Sequence, residues 1–578
     1  MGEQIKGNRK SVWIKRSLLI GIIAFFVLVS FFRAKSEGAF EDIFHKKSGI
    51  KIESINDNQI KDLSKLCKVW GFVKYYHPKV IDSSVNWDFE LFKVIPEVME
   101  AKDSGETDKI LYSWISKLGE VKEGLESASK DIMMAPDTGW IKDSNYISKD
   151  LSDLLIRLSK TYISERSKGY VSFDKDSPYA SFKNEKAYPN MTYDDDGYKL
   201  LSLFRYWNII EYYYPYREVM GEDWNRVLAE FIPKFIETKD SLSYKLTVSE
   251  LTTKIHDSHV NVTDKRNELF RYFGFNAVPV KFQLVENKIV ITEIIEKYSA
   301  GCKVQKGDIV LKINDKDIFD VIKEKAKYKS TSNDRESVKD LFVYLFSTNE
   351  SSLNLTLERN GKEIRESVTC YSLTNMFTGT DQSHKLLERN IGYINPGALA
   401  KGEIEKIMSE FKDTKGLIVD LRNYPSDPIM YTLGRYLMPQ KAAFAKVAVA
   451  NPSVPGEFIY LDNMEVGEDN SNFYKGKVII IINEYSQSQA EFTTMALRKA
   501  PNAQVIGSDS AGADGNVVTF SLPGGITTDF SGIGVYYPDK SETQRVGVKP
   551  NIYVKPTIQG IKSGRDELVE KAVELIKK

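Results

Sequence analysis

Cysteine is nearly absent from this chain. Three occur in 578 residues, Cys67, Cys302 and Cys370, all far apart. No CxxC pair and no Cys/His ligand spacing appears, which argues against zinc or any other metal and against a disulfide framework. Histidine is almost as scarce, with five, at positions 45, 77, 256, 259 and 384. Net charge is lacking too. Lys+Arg and Asp+Glu balance at 80 each, and without a basic excess nothing points to nucleic acid. A hydrophobic content of 42% with 28% charged residues suits a packed globular protein. The length allows roughly three to five domains.

A full-length transmembrane run is also missing. Residues 17–32 form a 16-residue uncharged apolar stretch, preceded by Lys6, Arg9, Lys10, Lys15 and Arg16. At ~1.5 Å per residue it spans about 24 Å, slightly short for a bilayer core. Arg16 and Arg33 can snorkel to make up the length. No small-x-small cleavage site and no lipid-accepting cysteine is present, so an uncleaved signal-anchor is favoured over a cleaved signal peptide. Either places the remaining chain outside the cytoplasm, membrane-anchored or secreted in the cell envelope.

What is present centres on residues 478–492, VIIIINEYSQSQAEF. The β-branched run Val478 to Ile482 predicts a buried strand. A small polar segment follows, and from Glu491 a helical pattern runs through Phe492, Met495, Ala496 and Lys499 until Pro501. A serine between strand and helix sits where backbone N–H groups can receive an oxyanion. Ser486 and Ser488 are the candidates. The plainer alternative is an N-cap on an ordinary αβ crossover.

Upstream the chain repeats itself. LCKVWGFVKYYHPKV, from residue 66, superposes without gaps on LFRYWNIIEYYYPYR, from residue 203, a shift of 137. Trp70 matches Trp207, Tyr75-Tyr76 match Tyr212-Tyr213, and Pro78 matches Pro215. Further on, Trp87 matches Trp224, Pro96 matches Pro233, and Lys102-Asp103 match Lys239-Asp240. Each copy predicts an amphipathic helix stopped by proline and a second helix entered near the Trp. The aromatic stripe reads as core. The copies part at their ends: Ser258-His259, within a His-Asp-Ser-His cluster, stand where the first copy has Val121-Lys122. Loss from the sister copy marks His259 as a catalytic candidate beside the surface-residue alternative.

Residues 270–372 read as strands. Within them SAGCKVQKGDIVLKIND resembles a PDZ domain, with Asp315 where glycine is commonest. Such domains bind extended peptides by strand addition, and Gly274 and Phe275 are the substrate-binding candidates of this unit. From about 385 onward strand and helix alternate, with turns around Pro523-Gly524-Gly525 and Tyr537-Pro538-Asp539 and a closing helix near 564–577. The expected fold is α/β and multidomain. A signal or anchor occupies 1–35, helical repeats occupy 36–185 and 186–267, and a PDZ-like insert occupies 268–374. The layered α/β catalytic core takes 375–578, with ligand groups at the carboxyl ends of its strands.

Three such strand ends are DLRNYPS, NEYSQSQAE and GSDSAGADGN. Together with the Ser-His cluster and the PDZ-like unit, they make residues 200–578 resemble the tricorn-core and C-terminal-processing serine peptidase family. The resemblance implies a cofactor-free enzyme acting on peptides or proteins. In that family the nucleophilic serine stands three residues before a helix-opening Glu, which selects Ser488 ahead of Glu491. One branch uses a lysine about 25 residues on, where this chain has Ala513. The tricorn-like branch uses an upstream Ser-His pair and a distant Glu, here Ser258-His259. The resemblance then implies His259 as general base, Ser258 as its orienting partner and Glu542 as the carboxylate behind it. Asp257 and Glu491 compete for that last role. The oxyanion donors implied are the N–H of Gln489 and one at the turn after Asp420-Leu421-Arg422-Asn423. There Ser426-Asp427 replace the family's Gly-Gly, and Ser426 is the donor candidate. Those replacements keep open a second reading, a non-catalytic relative that binds a peptide or apolar ligand.

Overall fold

The computed structural model describes residues 44–45, 47–124, 129–161, 166–174, 177–333, 337–341, 343–376 and 382–578. The apolar stretch 17–32 lies outside them. Among the described residues no helix is long and apolar enough to cross a membrane. The chain is a mixed α/β protein of several parts: a helical region, an antiparallel β unit and a layered sheet core.

The two repeats fold alike, and the matched residues are those that fix the fold. Helices Asp57–Tyr76 and Asp196–Tyr213 end just before Pro78 and Pro215. Asn86 and Asp223 cap the helices Trp87–Met99 and Trp224–Glu237; Asp103 and Asp240 cap the next pair. Within each copy two tryptophans clamp each other. Trp70 Nε1 donates to Trp87 O at 3.1 Å and Trp87 Nε1 to Trp70 O at 2.9 Å. Trp207 and Trp224 exchange the same two bonds at 2.8 and 3.1 Å. A buried indole N–H needs an acceptor, and the clamp satisfies both. The copies pack on each other through equivalent positions. Tyr75 meets Tyr212 with ring centroids 5.2 Å apart, and Asn208 fills the space beside Gly71, its Nδ2 donating to Cys67 O at 3.0 Å. Equivalent residues facing each other mark a pseudo-two-fold axis between the long helices.

The core sheet runs His384–Leu387, Ile391–Ile394, Gly416–Asp420, Lys477–Ile482, Ala503–Gly507, Ile552–Tyr553. Its first pair is antiparallel and the remaining pairs are parallel. The isoleucine run is its buried centre, and alternate side chains serve opposite layers. Val478, Ile480 and Ile482 pack with Leu433, Met495 and Leu497. Ile479 and Ile481 pack with Leu568 and Ala572 of the closing helix Glu567–Lys577. Helices on both faces explain the unbroken apolar run.

The β unit between these parts is a six-stranded antiparallel sheet, with Val280–Val285 and Lys362–Thr369 at its edges and the helix Ile318–Ala326 against it. A three-stranded sheet brings the helical region to the core. The hairpin Val517–Leu522 and Ile526–Ser531 extends across to Val262–Asp264, pairing Thr528 with Val262. The segment after Asp257-Ser258-His259 is thereby sewn to a core strand.

Candidate active site

Ser488 caps the helix Gln489–Leu497 at φ 53°, ψ −115°, a backbone conformation costing about 1–3 kcal/mol for a residue with a side chain. The neighbours that hold it there are specific. The Ser488 N–H donates to Ala513 O at 2.8 Å and to Glu491 Oε2 at 3.1 Å. Glu491 also accepts from Ser510 Oγ (2.5 Å), Gly512 N (2.8 Å) and Ala513 N (3.0 Å). A buried carboxylate with four donors pins the serine turn to the 510–513 loop. Ala513 therefore works through its backbone, at the place where the lysine of the other branch was sought. Beside it, burial and then the Glu491 charge push the Asp514 carboxyl well above the usual carboxylate range. Ser486, the other serine of the stretch, is buried and donates to Leu421 O at 2.7 Å, joining two strand ends.

His259 is reached through its hydrogen bonds. Its Nδ1 lies 2.9 Å from Ser531 Oγ and 3.3 Å from Asp257 Oδ1. Asp257, fully buried, also accepts the His259 N–H at 2.9 Å and the Ser531 N–H at 2.7 Å. Burial alone would raise the Asp257 pKa, but the His259 ring and these two amides outweigh it and hold the carboxylate below its usual range. An ionised Asp257 beside Nδ1 favours the proton there. That leaves the lone pair on Nε2, which is buried and has no hydrogen-bond partner. The serine and histidine loops touch, because Gln487 Nε2 donates to Ser258 O at 3.4 Å.

The structure gives the other predicted residues these places. Ser258 Oγ donates to Asp340 Oδ2 at 2.9 Å and accepts from Ser332 N at 2.9 Å, away from the imidazole. Ser531 stands where Ser258 was expected, and Asp257 stands where Glu542 was. The Gln489 N–H occupies the first helical position, which has no intrahelical acceptor. Ser426 is different: its N–H is committed to Pro396 O at 3.1 Å and its hydroxyl to Pro396 O and Leu399 O. Asp420 and Arg422 have a structural task. Arg422 bridges Asp420 to Asp566, the cap of the closing helix, and Tyr393 OH donates to Asp420 at 2.8 Å. The strand after Gly274 and Phe275, Asn276–Ala277, is the middle one of three and pairs on both sides. No edge for strand addition is open there, and a Cβ at Gly274 would strike the Thr348 backbone. The helix after Ser488 ends at Leu497, so Lys499 lies beyond it and is exposed.

Glu542 sits in a different neighbourhood. Burial, then Glu218, raises its pKa to about 7, its Oε2 has no partner, and Tyr460 and Tyr536 lie nearby. A carboxyl that folds protonated but unfolds ionised loses stability as pH rises from the ordinary glutamate value to its raised one. Glu542→Gln should therefore raise the melting temperature at pH 8 relative to the parent and leave it unchanged near pH 4. Peptide hydrolysis should stay within about threefold, as for a residue off the reaction path. A loss of ~10² or more would return Glu542 to the catalytic set.

Among the described residues no group of His, Cys, Asp and Glu is arranged to hold a metal ion. Residues 390–554 match the family model described as peptidase family S41. No curated protein sequence matches the chain. Among solved structures, mature CPAF is similar with a TM-score of 0.53 at 13% identity, covering 66% of this chain and 97% of that one. Mature CPAF complexed with lactacystin gives 0.51 at 14%, covering 66% and 98%. The photosystem II D1 C-terminal processing protease matches over 62% of this chain and 92% of its own at 14% identity, with a TM-score of 0.38. Identities this low speak for a fold shared with mature CPAF and no more, and the sequence match places Ser488 inside the stretch, residues 390–554, that resembles peptidase family S41.

Proposed function

We propose that the protein is an envelope-anchored serine endopeptidase in which Ser488 is the nucleophile and His259 the general base. The observation that carries this reading is the unpartnered Nε2 of a histidine whose Nδ1 is held by Asp257 and Ser531, on a loop touching the serine turn. In the forward step Nε2 takes the Ser488 Oγ proton as Oγ bonds the scissile carbonyl carbon. The resulting oxyanion is met by the Gln489 N–H. The imidazolium then protonates the leaving amine, and water repeats the sequence on the acyl-enzyme. Asp257 stays ionised throughout and fixes the tautomer. The charged flank and apolar stretch at the N-terminus support the extracytoplasmic placement. In the PDZ-like unit, peptide capture would use the edge strand Val280–Val285, where Phe282 O now accepts from Tyr485 OH at 3.1 Å.

One observation favours a second reading, a peptide-binding relative without turnover. Pro425 and Pro428 have no N–H, and that of Ser426 is already given to Pro396 O, so the 423–428 turn has lost three of the amides that could serve as the second oxyanion donor. Labelling with a fluorophosphonate separates the two. The full chain should label and Ser488→Ala should not. Failure of the folded parent to label, or label that persists in Ser488→Ala, overturns the enzymatic reading.

A further inference from the structure

Beside the loop that carries His259 lies a cavity of about 190 Å³. It is bounded by residues 260–264, which directly follow the histidine, by the helix Glu268–Phe273, and by residues 325, 328–330, 341 and 344 of the β unit. Phe270, Phe273, Tyr328 and Tyr344 give it aromatic walls, and two amines line it, Lys325 from the helix Ile318–Ala326 and Lys329 from the turn that follows. The amines differ in what they have left to give. Lys325 Nζ donates to three carbonyls, those of Tyr344, Leu345 and Ser347. Lys329 Nζ donates only to Val260 O, at 3.1 Å, and forms no ion pair with a described residue. An ammonium has three N–H donors, so two remain. Asp340 and Asp529 act on Lys329 only from a distance, and burial lowers its pKa. The lining carboxylate, Asp264, is already paired with Lys245 at 2.8 Å.

A half-buried amine with unused donors gains when an anion meets it. We propose that this cavity receives a carboxylate of the bound peptide, from a side chain or the chain end, with Lys329 as its cationic partner. That the ligand is a peptide rests on the function proposed above. The carboxylate would make charge-assisted bonds to the two free N–H groups, while its stem packs on Phe270 and Phe273. Because Val260 follows His259, the residue so held lies close to the bond being cut.

The test is equilibrium binding to the full-length Ser488→Ala protein, which needs no turnover. The probes are amidated fluorescent octapeptides of alanine and leucine, each with one Glu at a different position. Their Gln counterparts, and one all-neutral peptide as free acid and as amide, complete the set. The Glu peptide at one position, or the free acid, should bind about tenfold tighter than its neutral partner, the size of a charge-assisted pair. The Glu arm and the free-acid arm separate side-chain from terminal carboxylate. Lys329→Met should abolish the preference and Lys329→Arg should retain it. Lys327→Met, which removes an exposed lysine paired with Glu250, should leave it intact. No preference in the parent, or one that survives in folded Lys329→Met, overturns the proposal. A Lys329-dependent preference in a protein that never labels with fluorophosphonate sinks the enzymatic reading and leaves the site standing.

Discussion

Ser488→Ala should lower kcat/KM for peptide hydrolysis by at least ~10³ with the melting temperature unchanged or raised. The size follows from the loss of the only atom that forms the acyl bond. The stability expectation follows from the backbone. Ser488 is held at φ 53° by its own N–H, which Glu491 and Ala513 accept, and alanine keeps that N–H. The turn is thus maintained by its neighbours, and in the proposed mechanism the hydroxyl is left for the chemistry. Near-parental hydrolysis by folded Ser488→Ala would remove it as nucleophile. The next serine to examine would not be Ser486, which is buried and bonded to Leu421.

Asp257→Asn should cost about as much, a fall of ~10⁴ in kcat at little change in KM. The substitution is nearly isosteric, but an amide NH₂ turned toward Nδ1 displaces the proton to Nε2, and the lone pair then faces the wrong way. Because Asp257 is buried, the fall has to be separated from unfolding. A folded Asp257→Asn protein should lose hydrolysis and fluorophosphonate labelling in proportion, since both need the base. Ser531→Ala should lower the rate by only about tenfold, because it removes a neutral hydrogen bond and leaves the carboxylate in place. The stability that the depressed Asp257 pKa supplies is present above the ordinary carboxylate value and lost as pH falls through the folded value. At neutral pH its charge is constant. An Asp257→Asn enzyme with unimpaired kcat would leave His259 without an orienting carboxylate and undo the assignment.

Much of this was legible locally, and the remainder depends on register. A run of five β-branched residues, a polar turn and a helical pattern are properties of neighbours in sequence, and they led to Ser488. The repeat was legible because its matched residues are caps and the paired tryptophans, whose roles do not depend on the rest of the chain. The partner of His259 was not. Ser531 reads as one more residue of a hairpin strand, and only the pairing of Thr528 with Val262 brings it and Asp257 together. Ser258 was assigned by its adjacency to the histidine, yet the two occupy the middle of a turn closed by Val260 N–H to Asp257 O, and its hydroxyl meets Asp340. Glu542 was placed by the resemblance alone, and burial beside Glu218, Tyr460 and Tyr536 is a property of tertiary packing that no local pattern announces. At Ser426 the use of the N–H depends on Pro396, thirty residues upstream, which the motif does not contain.

The contact between Gly71 and Asn208 has a consequence for descent. These are equivalent positions on opposite sides of the pseudo-two-fold axis, and a Cβ on Gly71 would lie 1.7 Å from Asn208 Oδ1. Two first copies would put glycine opposite glycine and leave a hole where the amide now bonds Cys67. Two second copies would force two asparagines into one space. Neither half can now pair with a duplicate of itself. Whatever self-associating ancestor the duplication captured, the division of this one site into a giver and a taker of room has made the fusion irreversible, and an exchange of the two segments between chains would have to carry both residues together.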